Sequence, residues 1–250
     1  MNTSDRTIRY GDDPSQFAEI YHPSGASRGV VVVIHGGFWK AQYDASLGRP
    51  LARSLAREGW TAWNLEYRRV GPAGSGGGGG VPETLDDVAA GIDALADVEG
   101  LDTSKVITLG HSAGGHLATW APSRGRFEQW QPERVPVTGV VSQAGVLDLR
   151  SAYEQDLGDG AVEAFLGHPP GPADDPVEPI RQVPLSGVPV RCVHGRDDTV
   201  VPLSQSESYV AVATGAGGDA QLLEVEGGHF VLIDPDSRAW ARTLALLDTF

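Results

Sequence analysis

The sequence predicts an α/β fold built on a mostly parallel, doubly wound sheet. Gly29–His35 (Gly-Val-Val-Val-Val-Ile-His) and Val188–Val193 are apolar runs without alternation, the pattern of strands buried on both faces by covering helices. Such runs alternate along the chain with stretches carrying apolar residues at helical spacing, which is the signature of strand–helix–strand units. The 250 residues suit one large domain of this kind and can bury a core without disulfides or metals.

In order, Ile8–Tyr21 reads as an edge segment leading in. Gly29–His35 is the first central strand, followed by Gly36-Gly37-Phe38-Trp39. Leu47–Glu58 carries Leu47, Leu51, Leu55 and Ala56 at helical spacing and stops at Gly59, a residue suited to a helix C-terminus. Trp60–Leu65 is the next strand, left through Glu66-Tyr67-Arg68-Arg69. Gly71–Gly80 ends in five consecutive glycines and has no phosphate-binding G-x-x-x-x-G-K-[ST] pattern, so it reads as a flexible surface loop. Pro82–Val98 is a helix with Leu85, Val88, Ala89, Ile92 and Leu95 on one stripe. Val106–Leu109 is a short strand and Val137–Ser142 another. Leu149–Pro184 breaks the rhythm. It is rich in Pro, Gly and acidic residues, with a helical piece around Ala161–Leu166, and reads as a short cap inserted over a site within one domain spanning 1–250. After the strand Val188–Val193 come a helix (Leu203–Thr214), a strand (Ala220–Glu224), the loop Gly227-Gly228-His229-Phe230 and a last helix (Pro235–Leu247). No internal repeat is visible.

Net charge is -14 at pH 7. Nucleic-acid binding needs a basic footprint, and an anionic membrane would repel such a chain. The single cysteine, Cys192, rules out an internal disulfide and lies in an apolar run, so it reads as a core thiol. Met1–Tyr10 is polar and charged, and no apolar run is long enough to span a bilayer. These features predict a cytoplasmic protein with no membrane and no nucleic-acid partner. The oligomeric state has no signature.

The chemistry concentrates at Val106–Leu117. Here Gly110-His111-Ser112-Ala113-Gly114 is a G-x-S-x-G pattern between a strand and a helix, the setting of a nucleophile elbow. The turn exposes a serine hydroxyl above the sheet edge, and the helix N-terminus directs free N–H groups at it. A serine needs a base to take its proton, and a histidine needs a carboxylate to fix its tautomer. His229, in its Gly-Gly-His loop after the last strand, is the candidate base. Asp198 and its neighbour Asp197 both follow the strand that ends at Val193 and compete for the acid role. Gly36-Gly37-Phe38 at another strand end could supply backbone N–H donors to an oxyanion, with Ala113 after the serine as the second source. His35 and His194 read as braces of loops, His111 as packed beside the elbow, and His116 and His168 as structural. No H-E-x-x-H or Cys/His cluster calls for a metal, and no cofactor is expected.

These residues resemble the α/β-hydrolase superfamily. More narrowly, His35-Gly36-Gly37-Phe38-Trp39, with Glu66-Tyr67-Arg68-Arg69 and Gly110-His111-Ser112-Ala113-Gly114-Gly115-His116-Leu117, resembles the kynurenine formamidase (arylformamidase) branch near the hormone-sensitive-lipase-like esterases. The likeness runs from Val30 to the final helix. It implies the α/β-hydrolase fold, with Ser112 as nucleophile, Asp198 as acid, His229 as base, and Gly37, Phe38 and Ala113 as oxyanion donors. Phe38 stands where the lipase-like esterases have a third glycine, so its ring narrows the pocket. With Trp39 and His111 as further pocket residues, a small formyl group would fit. The activity implied is hydrolysis of a small ester or an aryl formamide such as N-formylkynurenine through an acyl-enzyme. A general carboxylesterase has the same triad. A non-catalytic ligand receptor on this fold would not need it, and an exopeptidase of the prolyl-oligopeptidase group would bring a large extra domain.

Overall fold

A computed structural model describes residues 6–250, so the reading of Met1–Tyr10 lies partly outside the described residues. The sheet runs β1 (Arg6–Arg9), β2 (Phe17–Tyr21), β4 (Thr61–Leu65), β3 (Val30–Ile34), β5 (Val106–His111), β6 (Gly139–Gln143), β7 (Val190–Gly195) and β8 (Ala220–Val225). β1 pairs with β2, and β2 with β4, in antiparallel fashion; every other pair is parallel. The mostly parallel, doubly wound sheet is therefore present, and the lead-in segment Ile8–Tyr21 resolves into two antiparallel strands, β1 at the edge and β2 just inside it.

The unbroken valine run of β3 explains the layering. Successive side chains point to opposite faces, and all five are at most 1% exposed. Val30, Val32 and Ile34 join one core with α2 (Glu83–Asp93), α3 (Ala113–Trp120) and α6 (Ser204–Gly215). Val31 and Val33 join the other with α1 (Arg49–Arg57) and α7 (Arg238–Leu247). Each such side chain contributes about 1.5–3 kcal/mol on leaving water, so both helical layers are secured from the same strand.

Several boundaries move for local reasons. The helix expected over Pro82–Val98 is α-helical only to Asp93 and tightens into a 3-10 turn, Ala94–Asp97. The last helix begins at Arg238 because the Ser237 hydroxyl accepts the Trp240 N–H at 2.9 Å and caps it. Residues 149–184 form α4 (Leu149–Glu154), α5 (Ala161–Leu166) and two 3-10 turns. Their apolar residues, including Leu149, Val162, Phe165 and Ile180, pack into the same core as α2 and α3. The glycine run is a surface loop folded into hydrogen-bonded turns. Arg69 N–H donates to Gly76 O, Gly78 N–H to Gly71 O and Gly79 N–H to Arg69 O, at 2.8–2.9 Å. A side chain at Gly76, Gly77 or Gly79 would overlap Arg69 or the Arg68–Pro72 main chain, which is why glycines fill these positions. Among the described residues no helix is long and apolar enough to cross a membrane.

Candidate active site

β5 ends at His111, Ser112 takes φ 57° and ψ -121°, and α3 starts at Ala113. A non-glycine residue at such a positive φ is strained, and neighbouring glycines make the turn possible. A Cβ at Gly110 would overlap the Gly114 carbonyl, and one at Gly114 would overlap the carbonyls of Ile34 and His35. The Ser112 N–H donates to Gln143 O of β6 at 2.8 Å, which ties the elbow to the next strand. Ala113 opens α3, where first-turn N–H groups lack partners within the helix.

The carboxylate candidates separate cleanly. Asp197 is exposed, whereas the Asp198 carboxylate is fully buried and faces His229, with Oδ2 2.7 Å from Nδ1. Asp198 Oδ1 accepts the N–H groups of Val200 and Val201 at 2.8 and 2.9 Å. Burial opposes ionisation of Asp198, but hydrogen bonds from the His194 and His229 rings and from Val201 N–H outweigh it. They hold its carboxyl well below the usual range. His194 braces this loop, as expected: Nδ1 lies 2.8 Å from Ser206 Oγ and Nε2 2.9 Å from Val201 O.

The Gly36–Trp39 segment forms the third part. Gly37, Phe38 and Trp39 have φ of 111°, 52° and 56° in succession. The turn is closed by Lys40 N–H donating to Gly37 O at 2.9 Å, and Val70 N–H donates to Trp39 O at 2.7 Å. Gly36 packs on the elbow itself, where a Cβ would stand 2.6 Å from His111 O. His35 lies beneath, stacked on Tyr67 at 4.5 Å, with Nδ1 2.8 Å from Gly36 O and Nε2 3.0 Å from Glu66 Oε1. Burial pushes its pKa down to about 3, with the Arg69 charge acting the same way and the Gly36 carbonyl and Asp44 only partly opposing it.

A cavity of about 180 Å³ brings these parts together. Gly37, Phe38, His111, Ser112 and His229 all line it. His111 sits with its ring 4.3 Å from that of His229 and its Nε2 3.0 Å from His229 O; burial and the neighbouring His229 push its pKa down to about 3. Trp39 does not line the cavity, contrary to its assignment to the pocket. Its indole is 1% exposed, stacked on Phe165 at 4.5 Å and edge-on to His116 at 5.3 Å. The positive φ at Trp39 turns the side chain down into the core. His116 is buried, with a pKa pushed down to about 4, and its Nε2 lies 2.9 Å from Val177 O; His168 is exposed. Cys192 is a core thiol whose pKa burial raises to about 12. Tyr43, Leu47, Leu51, Val200, Phe230 and Ile233 also line the cavity and had no site reading from sequence. Phe230, an aromatic in a glycine loop beside His229, is the one with a visible signal. Among the described residues no group of three or more His, Cys, Asp or Glu is placed to hold a metal ion.

A sequence model of the BD-FAE family matches residues 18–212. The chain belongs to the BD-FAE family. Esterase LipC of Mycobacterium tuberculosis is 29% identical over 224 residues, covering 82% of this chain and 54% of LipC. The probable isoprenylcysteine alpha-carbonyl methylesterase ICME of Oryza sativa subsp. japonica is 26% identical, covering 89% of this chain and 56% of its own length. This BD-FAE chain thus spans about half the length of the curated relatives it matches. Esterase B of Lactobacillus rhamnosis superposes with a TM-score of 0.81 at 21% identity, covering 99% of this chain and 86% of that one. The butyrate-bound esterase Est2 of Thermogutta terrifontis gives 0.75 at 22%, covering 99% and 93%. The fold is that of the α/β-hydrolases. The BD-FAE match and these relatives support an α/β-hydrolase esterase and do not extend to the narrower arylformamidase branch.

Proposed function

We propose that this chain is a serine hydrolase of small, uncharged carboxylic esters acting through an acyl-enzyme. The observation that carries the reading is the 2.7 Å pairing of His229 Nδ1 with the buried Asp198 carboxylate on the cavity that Ser112 lines. In this reading His229 Nε2 takes the Ser112 proton as Oγ bonds to the carbonyl carbon. It returns that proton to the leaving oxygen as the C–O bond breaks. Water then attacks the acyl-enzyme by the same route and releases the acid. The N–H groups of Gly37, Phe38 and Ala113 face the oxyanion, each worth about 3–4 kcal/mol of barrier. The names of the relatives support ester hydrolysis. The motifs at His35–Trp39 and Glu66–Arg69 support an aryl formamide as the finer substrate, with the same chemistry at a C–N bond.

A fluorophosphonate probe with intact-mass detection tests this. One label is expected on the protein and none on Ser112→Ala, with turnover of p-nitrophenyl acetate lost in the variant. Unlabelled wild-type protein overturns the reading in favour of a ligand receptor. N-formylkynurenine in the same panel decides the formamide arm: turnover of esters alone removes it.

A further inference from the structure

The cavity beside Ser112 is graded from rim to floor. At the rim, Tyr43, Leu47 and Phe230 are 37%, 38% and 66% exposed, large apolar side chains left in water. At the floor, Val33, Leu51 and Leu109 are 2% exposed or less and belong to the core between the sheet and α1. Although the chain carries 33 acidic and 19 basic residues, among the described residues no Asp, Glu, Lys or Arg lines the cavity. A carboxylate or a row of sugar hydroxyls buried at the floor would find no partner, and unpaired polar groups are costly to bury. The floor therefore accepts carbon. Its volume of about 180 Å³ is slightly larger than an apolar cavity of about 150 Å³ that accommodates benzene, so a chain of about six carbons fills it.

We propose that this cavity is an acyl-chain pocket for straight, uncharged acyl groups of about four to eight carbons, and that Leu51 sets their length. The proposal rests on the Ser112 reading above, since that hydroxyl fixes the carbonyl end. Val33 and Leu109 are register partners on the adjacent central strands β3 and β5, so the hydrogen-bonded ladder holds them in place. Leu51 reaches the floor from α1. Its side-chain length sets how far an acyl chain runs between helix and sheet.

The test is kcat/KM on p-nitrophenyl esters from acetate to dodecanoate. The value is expected to rise about tenfold or more from acetate to hexanoate, since each matched methylene in a fitted pocket is discriminated, and to fall by dodecanoate. Leu51→Trp shifts the optimum to shorter chains and lowers the hexanoate-to-acetate ratio by about tenfold; Leu51→Ala shifts it to longer ones. A flat profile, or an optimum that neither variant moves, overturns the proposal. Because Leu51 is a core residue, Ile233→Trp on the half-buried wall is the second variant and shortens the optimum likewise. Calorimetric binding of methyl hexanoate and methyl acetate to the Ser112→Ala protein gives a readout without turnover. Tighter hexanoate binding by about tenfold is expected, and equal binding overturns the pocket. Absence of labelling or hydrolysis with preserved hexanoate binding removes the hydrolase reading and leaves the pocket.

Discussion

The elbow at Ser112 and the turn at Gly37–Trp39 meet at one cavity and share one difficulty. Each holds non-glycine residues at positive φ: Ser112 at 57° in the elbow, Phe38 at 52° and Trp39 at 56° in the turn. Each such residue costs about 1–3 kcal/mol unless its surroundings leave it no alternative. The elbow is constrained by main chain, much of it its own: Gly110 against Gly114, and Gly114 against the end of β3. The turn is constrained by side chains and segments remote in sequence. Val70 bonds to Trp39 O, Phe165 of α5 stacks under Trp39, and Gly158 supports Phe38 while its carbonyl accepts Lys40 Nζ at 2.8 Å. A site built from these two devices should fail abruptly at one and gradually at the other.

The largest effect tests the abrupt side. Gly114→Ala places a methyl into the Ile34 and His35 carbonyls, and no rotamer change relieves a clash with main chain. We expect kcat/KM to drop by about 10³-fold or more, with stability lower by about 3 kcal/mol. Ester assays and urea denaturation check it. Near wild-type activity would show that the elbow tolerates displacement of β3, and the contrast with the turn would fail.

Acid tests both devices at once, because each is backed by a buried histidine: His111 in the elbow and His116 against Trp39. Burial lowers both pKa values, to about 3 and about 4. Below about pH 6.5 the unfolded chain binds three protons that the native protein refuses, at His111, at His116 and at His35, buried beneath the turn. The stability these residues contribute is thus complete above that pH and is lost as pH falls towards their folded values. The expected slope approaches about 1.4 kcal/mol per pH unit for each histidine. Urea denaturation at pH 7.5 and pH 5 should show the loss, and His111→Gln or His116→Gln should each flatten it. Equal stability at the two pH values would contradict the burial argument.

The same contrast explains what could be read from sequence. The elbow's determinants lie within Val106–Leu117, a strand, two glycines and a helix start, and all are contiguous. The β-branched run of β3 likewise declares its two-sided burial. Asp198 and His229 were recognisable as residues just beyond strand ends, where α/β sheets build their sites, and the structure pairs them. The turn was legible only as two glycines and two aromatics. Whether Trp39 points to the pocket or the core depends on its backbone φ and on Phe165, more than a hundred residues away. The glycine run read as a surface loop, but its packing against Arg68–Pro72 was not legible, because composition alone does not reveal that contact. The cavity floor draws on β3, β5 and α1, whose apolar residues look like any core positions until the helix is placed.

The gradual side gives the smaller effects. Phe165→Leu removes the ring stacked on Trp39 while keeping bulk, a loss of about 0.5–1.5 kcal/mol beyond area. We expect kcat on p-nitrophenyl acetate to fall by up to about tenfold, since misplacing a proposed oxyanion donor would forfeit part of its worth. Fluorophosphonate labelling of Ser112 should persist, because the elbow does not depend on Phe165. Loss of labelling together with turnover would mean that both devices share one support.

Gly158→Ala is the mildest change. Gly158 has φ 71°, and a Cβ there would overlap the Phe38 ring. The obstacle is a side chain, so it can move where the Ile34 carbonyl cannot. Rotating the ring away from residue 158 carries it towards the cavity it lines. The expected outcome is a few-fold rise in KM with kcat within about twofold, and stability lower by about 1 kcal/mol from the αL alanine. If kcat falls with KM unchanged, Gly158 acts on the backbone of the turn rather than on the ring. The remote supports would then hold the proposed oxyanion donors as tightly as the elbow's glycines hold Ser112.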